Sequence, residues 1–129
     1  MDQYLLVEAG TNLVEALERN GVRLKAAVWV HLADDADWRL WLVPAAKVER
    51  RAFYRRVAEV IAAGEADFHG LSASDTQMID EHHPAIVALR AHGALRAHGQ
   101  VNGHTPARLA TTMLNGFYLP EGIVLRIAA

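Results

Sequence analysis

Apolar residues recur at helical spacing over the first stretch of the chain, at Leu6, Ala9, Leu13, Ala16 and Leu17, and Asn20-Gly21 follows as a left-handed stop. This predicts a helix over residues 3–20, with Gly10 as a point of loosening. The period then changes to two. Val22, Leu24, Ala26, Val28 and Val30 alternate with Arg23, Lys25, Ala27, Trp29 and His31, the pattern of a strand. "ADDAD" is turn chemistry, after which Trp38, Leu40 and Leu42 alternate with Arg39, Trp41 and Val43. The two strands are expected to form a hairpin.

Pro44 ends that hairpin, and "KVERRAFYRRVAEVIAAG" returns to helical period with Phe53, Tyr54, Val57, Val60 and Ile61 on one face, closing at Gly64. Residues 65–74 read as loop and "DTQMID" as a short buried strand. Pro84 suits the first position of a third helix with Ile86 and Leu89 inward, fraying near Gly93 or Gly99. A polar, glycine-rich stretch over 99–105 precedes a tail that reads as strands broken at Asn115-Gly116 and again at Pro120-Glu121-Gly122. The order α-β-β-α-β-α-β-β predicts one α+β domain over residues 1–129. It is expected as a two-layer fold, with a mainly antiparallel sheet and helices chiefly on one face.

If "ADDAD" is the connection, Leu32 lies opposite Trp38, His31 opposite Arg39 and Trp29 opposite Trp41. One face of the hairpin is then aliphatic and ready for the helices. The other carries Arg23, Lys25, Trp29, His31, Arg39, Trp41 and Val43. Val124 and Arg126 join it if Ile123, Leu125 and Ile127 point to the core. Three readings compete for this face. Tryptophans flanked by arginines suit a protein interface, with a second copy of the chain or another protein as the partner. The same residues suit a stacking platform for single-stranded nucleic acid. Alternatively, a helix or the glycine-rich loop covers the tryptophans and the charges snorkel.

Composition narrows the class. At 129 residues, 52% hydrophobic and 22% charged, the chain has the length and apolar content of one globular core. The formal charge of −2 means that affinity for an anionic partner has to come from a local patch. With no cysteine there are no disulfides or thiolate metal sites, which fits a reducing cytoplasm. "MDQYLLVE" lacks the basic start of a signal peptide, and no apolar run has the length of a spanning helix, so no membrane association is expected.

Candidate chemistry centres on histidine. "DEHH", residues 80–83, falls where a strand ends and a helix begins, so Asp80, His82 and His83 are candidates for a general base or metal-dependent hydrolase; the alternative is that the acids cap the third helix. His92 and His98, in the repeat "LRAHGALRAHG", are six residues apart and about a third of a turn off a common helix face, which gives a metal site shared with His104 no support. "GLSAS" lacks the last glycine of a nucleophile elbow, and Asp34, Asp35 and Asp37 lack the glycine and closing glutamate of a calcium loop. The basic run Lys47, Arg50, Arg51, Arg55 and Arg56 reads as a solvated helix face. No nucleotide-binding or zinc signature is present, and no metal or cofactor is implied.

The stretches "EAGTNLVEALERNGV", "DDADWRLWL" and "FYRRV", with the tail "LNGFY" and "IVLRI", resemble the corresponding parts of a family of small uncharacterised bacterial proteins. The resemblance implies a single domain and brings no activity with it. The leading expectation is therefore a non-enzymatic interaction module that assembles, as a dimer, through the Trp29/Trp41 face. Nucleic-acid binding at that face and hydrolysis at Asp80–His83 are the alternatives.

Overall fold

A computed structural model describes residues 3–32, 37–95 and 107–127. Helix α1 (Gln3–Arg19) is followed by strands β1 (Leu24–His31) and β2 (Arg39–Pro44), helix α2 (Arg50–Ala63) and strand β3 (Thr76–Met78). Helix α3 (Pro84–Leu95) and strands β4 (Ala107–Leu114) and β5 (Phe117–Ile127) complete the order. This is the expected α+β succession, apart from two short 3-10 helices, Glu65–Phe68 and Ala73–Asp75, between α2 and β3. The strands form one sheet in the order β3-β2-β1-β5-β4, antiparallel except for the β2/β3 pair. No helix among the described residues is long and apolar enough to cross a membrane.

Helix α1 stops as its sequence dictates. Gly21 takes φ +85°, which lets its N–H reach the Glu18 carbonyl and the Val22 N–H reach that of Leu17, so two of the helix's last carbonyls are satisfied. Gly10 does not loosen the helix, which runs through it. A Cβ there would stand 2.5 Å from both Leu125 Cδ1 and Trp29 Nε1, so the glycine sets how closely α1 approaches the sheet. In that close contact the buried Trp29 indole N–H donates to the Leu6 carbonyl at 2.7 Å.

The β1/β2 register is displaced by one residue from the expected one. Val30 faces Arg39, Trp29 faces Leu40 and Val28 faces Trp41. Because side chains alternate between the two faces of a sheet, a slip of one sends Trp41 to the face opposite Trp29. Trp29 packs with Leu6, Leu13, Leu17, Phe53 and Val57 under α1 and α2, whereas Trp41 packs with Val28, Val30, Ile86 and Leu89 under α3. Both tryptophans are buried, at 1% and 4% exposure. The expected open face bearing both does not exist, because α3 covers the side of the sheet that α1 and α2 leave bare.

Two bulges complete the correction. Between Leu24 and Ala26 the β1/β2 register shifts by one, leaving Lys25 as the extra residue, so Leu24 packs under α1 and α2 while Ala26 packs under α3. Between β1 and β5 a second shift lies at Ala27/Val28, where Ala27 faces Arg126 but Val28 faces Val124, so Leu125 is extra. Ile123 and Leu125 consequently share the α1/α2 face, as expected, while Ile127 crosses to the other with Val124. Arg126 turns toward α1, where it pairs with Glu18. The second expected break in the tail is absent: β5 runs unbroken through Pro120-Glu121-Gly122. Pro120 is tolerated because β1 pairs with β5 only from Glu121 onward, so the missing N–H is not needed on that side. Asn115 and Gly116, both at positive φ, make the tight turn that joins β4 to β5.

Candidate functional site

Both bulges lie at the same end of the sheet, the end where α1 stops and β1 begins. There the chain encloses an open cleft of about 900 Å³, of the size that holds a small organic ligand. Its apolar lining comes from Val22, Leu24, Phe53 and Ile127 and from the loop between β2 and α2, through Pro44, Ala45, Ala46 and Val48. That loop is tied to the α1–β1 connection by the Ala45 N–H, which donates to the Arg23 carbonyl at 2.9 Å.

Four cations from four separate segments reach the cleft: Arg23 from the α1–β1 connection, Lys25 from β1, Arg56 from α2 and Arg126 from β5. Glu15 and Glu18 of α1 are the carboxylates of the lining. Three of the cations are positioned by polar contacts. Arg126 is ion-paired with Glu18, Lys25 with Glu81, and Arg56 donates to the Asn20 carbonyl at the end of α1. Arg23 is exposed. The Lys25 ammonium, hydrogen-bonded to Glu81, holds that carboxyl below the usual glutamate range; partial desolvation opposes this, and the charges of Lys25, His82 and Arg90 add to it.

The charged and aromatic residues expected on one face divide among five places. Arg23, Lys25 and Arg126 meet in the cleft, Trp29 and Trp41 lie in the two cores, Arg39 donates to the Ser74 carbonyl at 2.8 Å, and His31 sits at the far end of β1. There His31 stacks on Trp38 at 5.2 Å and approaches Glu121 at 3.6 Å. Arg56 was hidden in a basic run that reads as solvated surface. The signal that points to it is its place three residues after Phe53, on the flank of the α2 core stripe.

"DEHH" forms the turn that starts α3. The Asp80 carboxylate accepts the His82 N–H at 2.7 Å, and the His83 carbonyl accepts the Val87 N–H, which makes His83 the N-cap. His83 Nδ1 accepts the Ala85 N–H at 3.1 Å, a capping bond made by imidazole in place of the usual hydroxyl or carboxylate. The same ring packs edge-on against Trp41 at 5.1 Å and Phe117 at 5.2 Å. The His82 side chain is 83% exposed and near Glu81. Asp80, His82 and His83 are thus each committed to a different contact. No group of three or more His, Asp or Glu side chains among the described residues is arranged to hold a metal ion. His98, His104, Asp34 and Asp35 lie outside the described residues, as does the side chain of His92.

Comparison with protein-family models, with characterised proteins and with solved structures finds no match to the chain.

Proposed function

We propose that the protein is a non-enzymatic binding module that holds an anionic group in the cleft at the start of β1. The observation that carries this reading is the convergence of Arg23, Lys25, Arg56 and Arg126 on one concave surface, in a chain whose formal charge is −2. Low-dielectric walls focus the field of such a cluster, and the pairing of Arg126 and Lys25 with carboxylates pre-orients their donors. Titration of labelled protein with inorganic phosphate at low salt, followed by amide NMR, should move the resonances of residues 22–25, 45 and 126, and added salt should reverse the shift. Movement confined to other parts of the sheet, or none, would overturn the assignment.

The partner class follows from the same features. Neither Trp29 nor Trp41 offers an exposed ring, so a stacking platform for single-stranded nucleic acid loses the two residues it rested on. Self-association, a second reading, is favoured by a different surface. Strand β4 is an edge of the sheet, and its exposed Met113 lies opposite the half-exposed Tyr118 of β5. A second copy pairing along β4 would set its own edge strand beside Met113. Sizing at increasing concentration, with Met113→Lys as the disruptive variant, tests it: a wild type that stays monomeric removes the reading. The absence of cysteine accords with work in the reducing cytoplasm, which we include in the proposal.

A further inference from the structure

The lining of the cleft specifies more than charge. Its accessible apolar surface is Val22, the Pro44–Ala46 turn and Val48, backed by the buried side chains of Leu24, Phe53 and Ile127, and the cations stand among them. A site for a fully hydrated ion would waste that surface, because a small inorganic anion gains nothing from contact with Val22 or Val48. The carboxylates also limit the charge the site can accept. Glu18 already neutralises Arg126 and Glu81 already neutralises Lys25, which leaves Arg23 and Arg56 as the cations of the lining without a carboxylate partner among the described residues. Two guanidiniums suit one carboxylate or one phosphate head, where planar donors match the oxygen pair. A polyanion would meet Glu15 and Glu18 as well.

We propose that the ligand is a single-headed amphipathic anion, a carboxylate or phosphate monoester carrying an unbranched apolar body. The head lies at Arg23 and Arg56, and the body lies over Val22, the Pro44–Ala46 turn and Val48. The inference rests on the anion-binding reading above and adds the apolar half of the ligand. Val48, itself 38% exposed, is the most open of the large aliphatic side chains in the lining.

Calorimetric titration of the full chain with hexanoate, octanoate and decanoate, each below its aggregation concentration, tests the proposal. Affinity should rise about tenfold for every two methylenes added, as expected for chain burial. Arg23→Gln with Arg56→Gln should weaken decanoate about tenfold or more, the loss of a charge-assisted contact. Val48→Asn, polar but uncharged, should weaken decanoate while leaving phosphate binding intact. All three positions are at the surface, and circular dichroism would verify that the variants stay folded. Inorganic phosphate that binds as tightly as decyl phosphate would overturn the amphiphile inference and leave the anion reading standing. If decyltrimethylammonium bound as well as decanoate, the site would be an apolar sink and both readings would fall. Failure of every anion to bind would also remove both.

Discussion

Trp29 and Trp41 lie on adjacent strands but on opposite faces of the sheet, because Trp29 is paired with Leu40 while Trp41 is paired with Val28. Their surroundings differ in one respect that matters for stability. The Trp29 indole N–H donates to the Leu6 carbonyl, whereas the buried Trp41 indole N–H has no hydrogen-bond partner among the described residues. Trp29→Phe deletes a buried hydrogen bond together with ring volume and should cost about 2–4 kcal/mol. Trp41→Phe deletes ring volume and removes an unsatisfied donor, so its cost should be about 1 kcal/mol or less. Urea denaturation of the two variants checks the order; equal losses would mean that the Leu6 bond contributes nothing.

Gly10→Ala opposes two effects. Alanine is the better helix former by about 1 kcal/mol. Its methyl would fall 2.5 Å from Trp29 Nε1, on a ring held in place by its bond to Leu6, and 2.5 Å from Leu125 Cδ1. Overpacking of this kind costs about 1–3 kcal/mol, so the variant should melt lower than the wild type. A higher melting temperature would show that α1 can lift from the sheet without penalty.

The Lys25–Glu81 pair makes stability depend on pH. The Glu81 carboxyl is held below its ordinary value in the folded protein, so its contribution is fully present above the ordinary glutamate range and is lost as pH falls through the lowered value. Thermal melts of wild type and Glu81→Gln should therefore differ most near neutrality and converge in acid. Parallel curves across the whole range would show that the pair is not linked to folding.

The two neighbouring histidines should behave differently. His83→Ala removes the capping bond to Ala85 and the contacts with Trp41 and Phe117, for about 1–3 kcal/mol. His82→Ala changes an exposed ring and should stay within about 0.5 kcal/mol. Chemical denaturation of both, with and without added zinc, checks this; a zinc-dependent gain in wild type lost in either variant would revive the metal reading of "DEHH".

Local signals carried most of the elements. Asn20-Gly21 marks the end of α1, Asn115-Gly116 marks a turn, and Ile86 and Leu89 are the inward residues of α3, all from neighbours in the sequence. What depends on distant partners was not legible. Trp41's face is decided by whether the β1–β2 connection shifts the pairing by an odd or an even step, and "ADDAD" fits either. Nothing around Ile86 says which face of the sheet α3 will cover. Arg23, Lys25, Arg56 and Arg126 come together because α1, β1, α2 and β5 end at one place. Arg23, Lys25 and Arg126 stand out in the sequence as cations within alternating segments, but their shared location does not.

The extra residue in β1 gives substitution and deletion at Lys25 different meanings. Exchanging the side chain alters one ion pair at the surface. Removing the residue restores strict alternation with Leu24 directly before Ala26, still opposite Pro44 and still on the face of Phe53 and Leu17, so the register survives and the bulge's local kink is lost. What the inserted residue sets is thus the local twist of β1 at the mouth of the cleft and the reach of an ammonium to Glu81, and a chain shortened by that one residue keeps both cores while losing the direction in which Arg23 leaves the sheet.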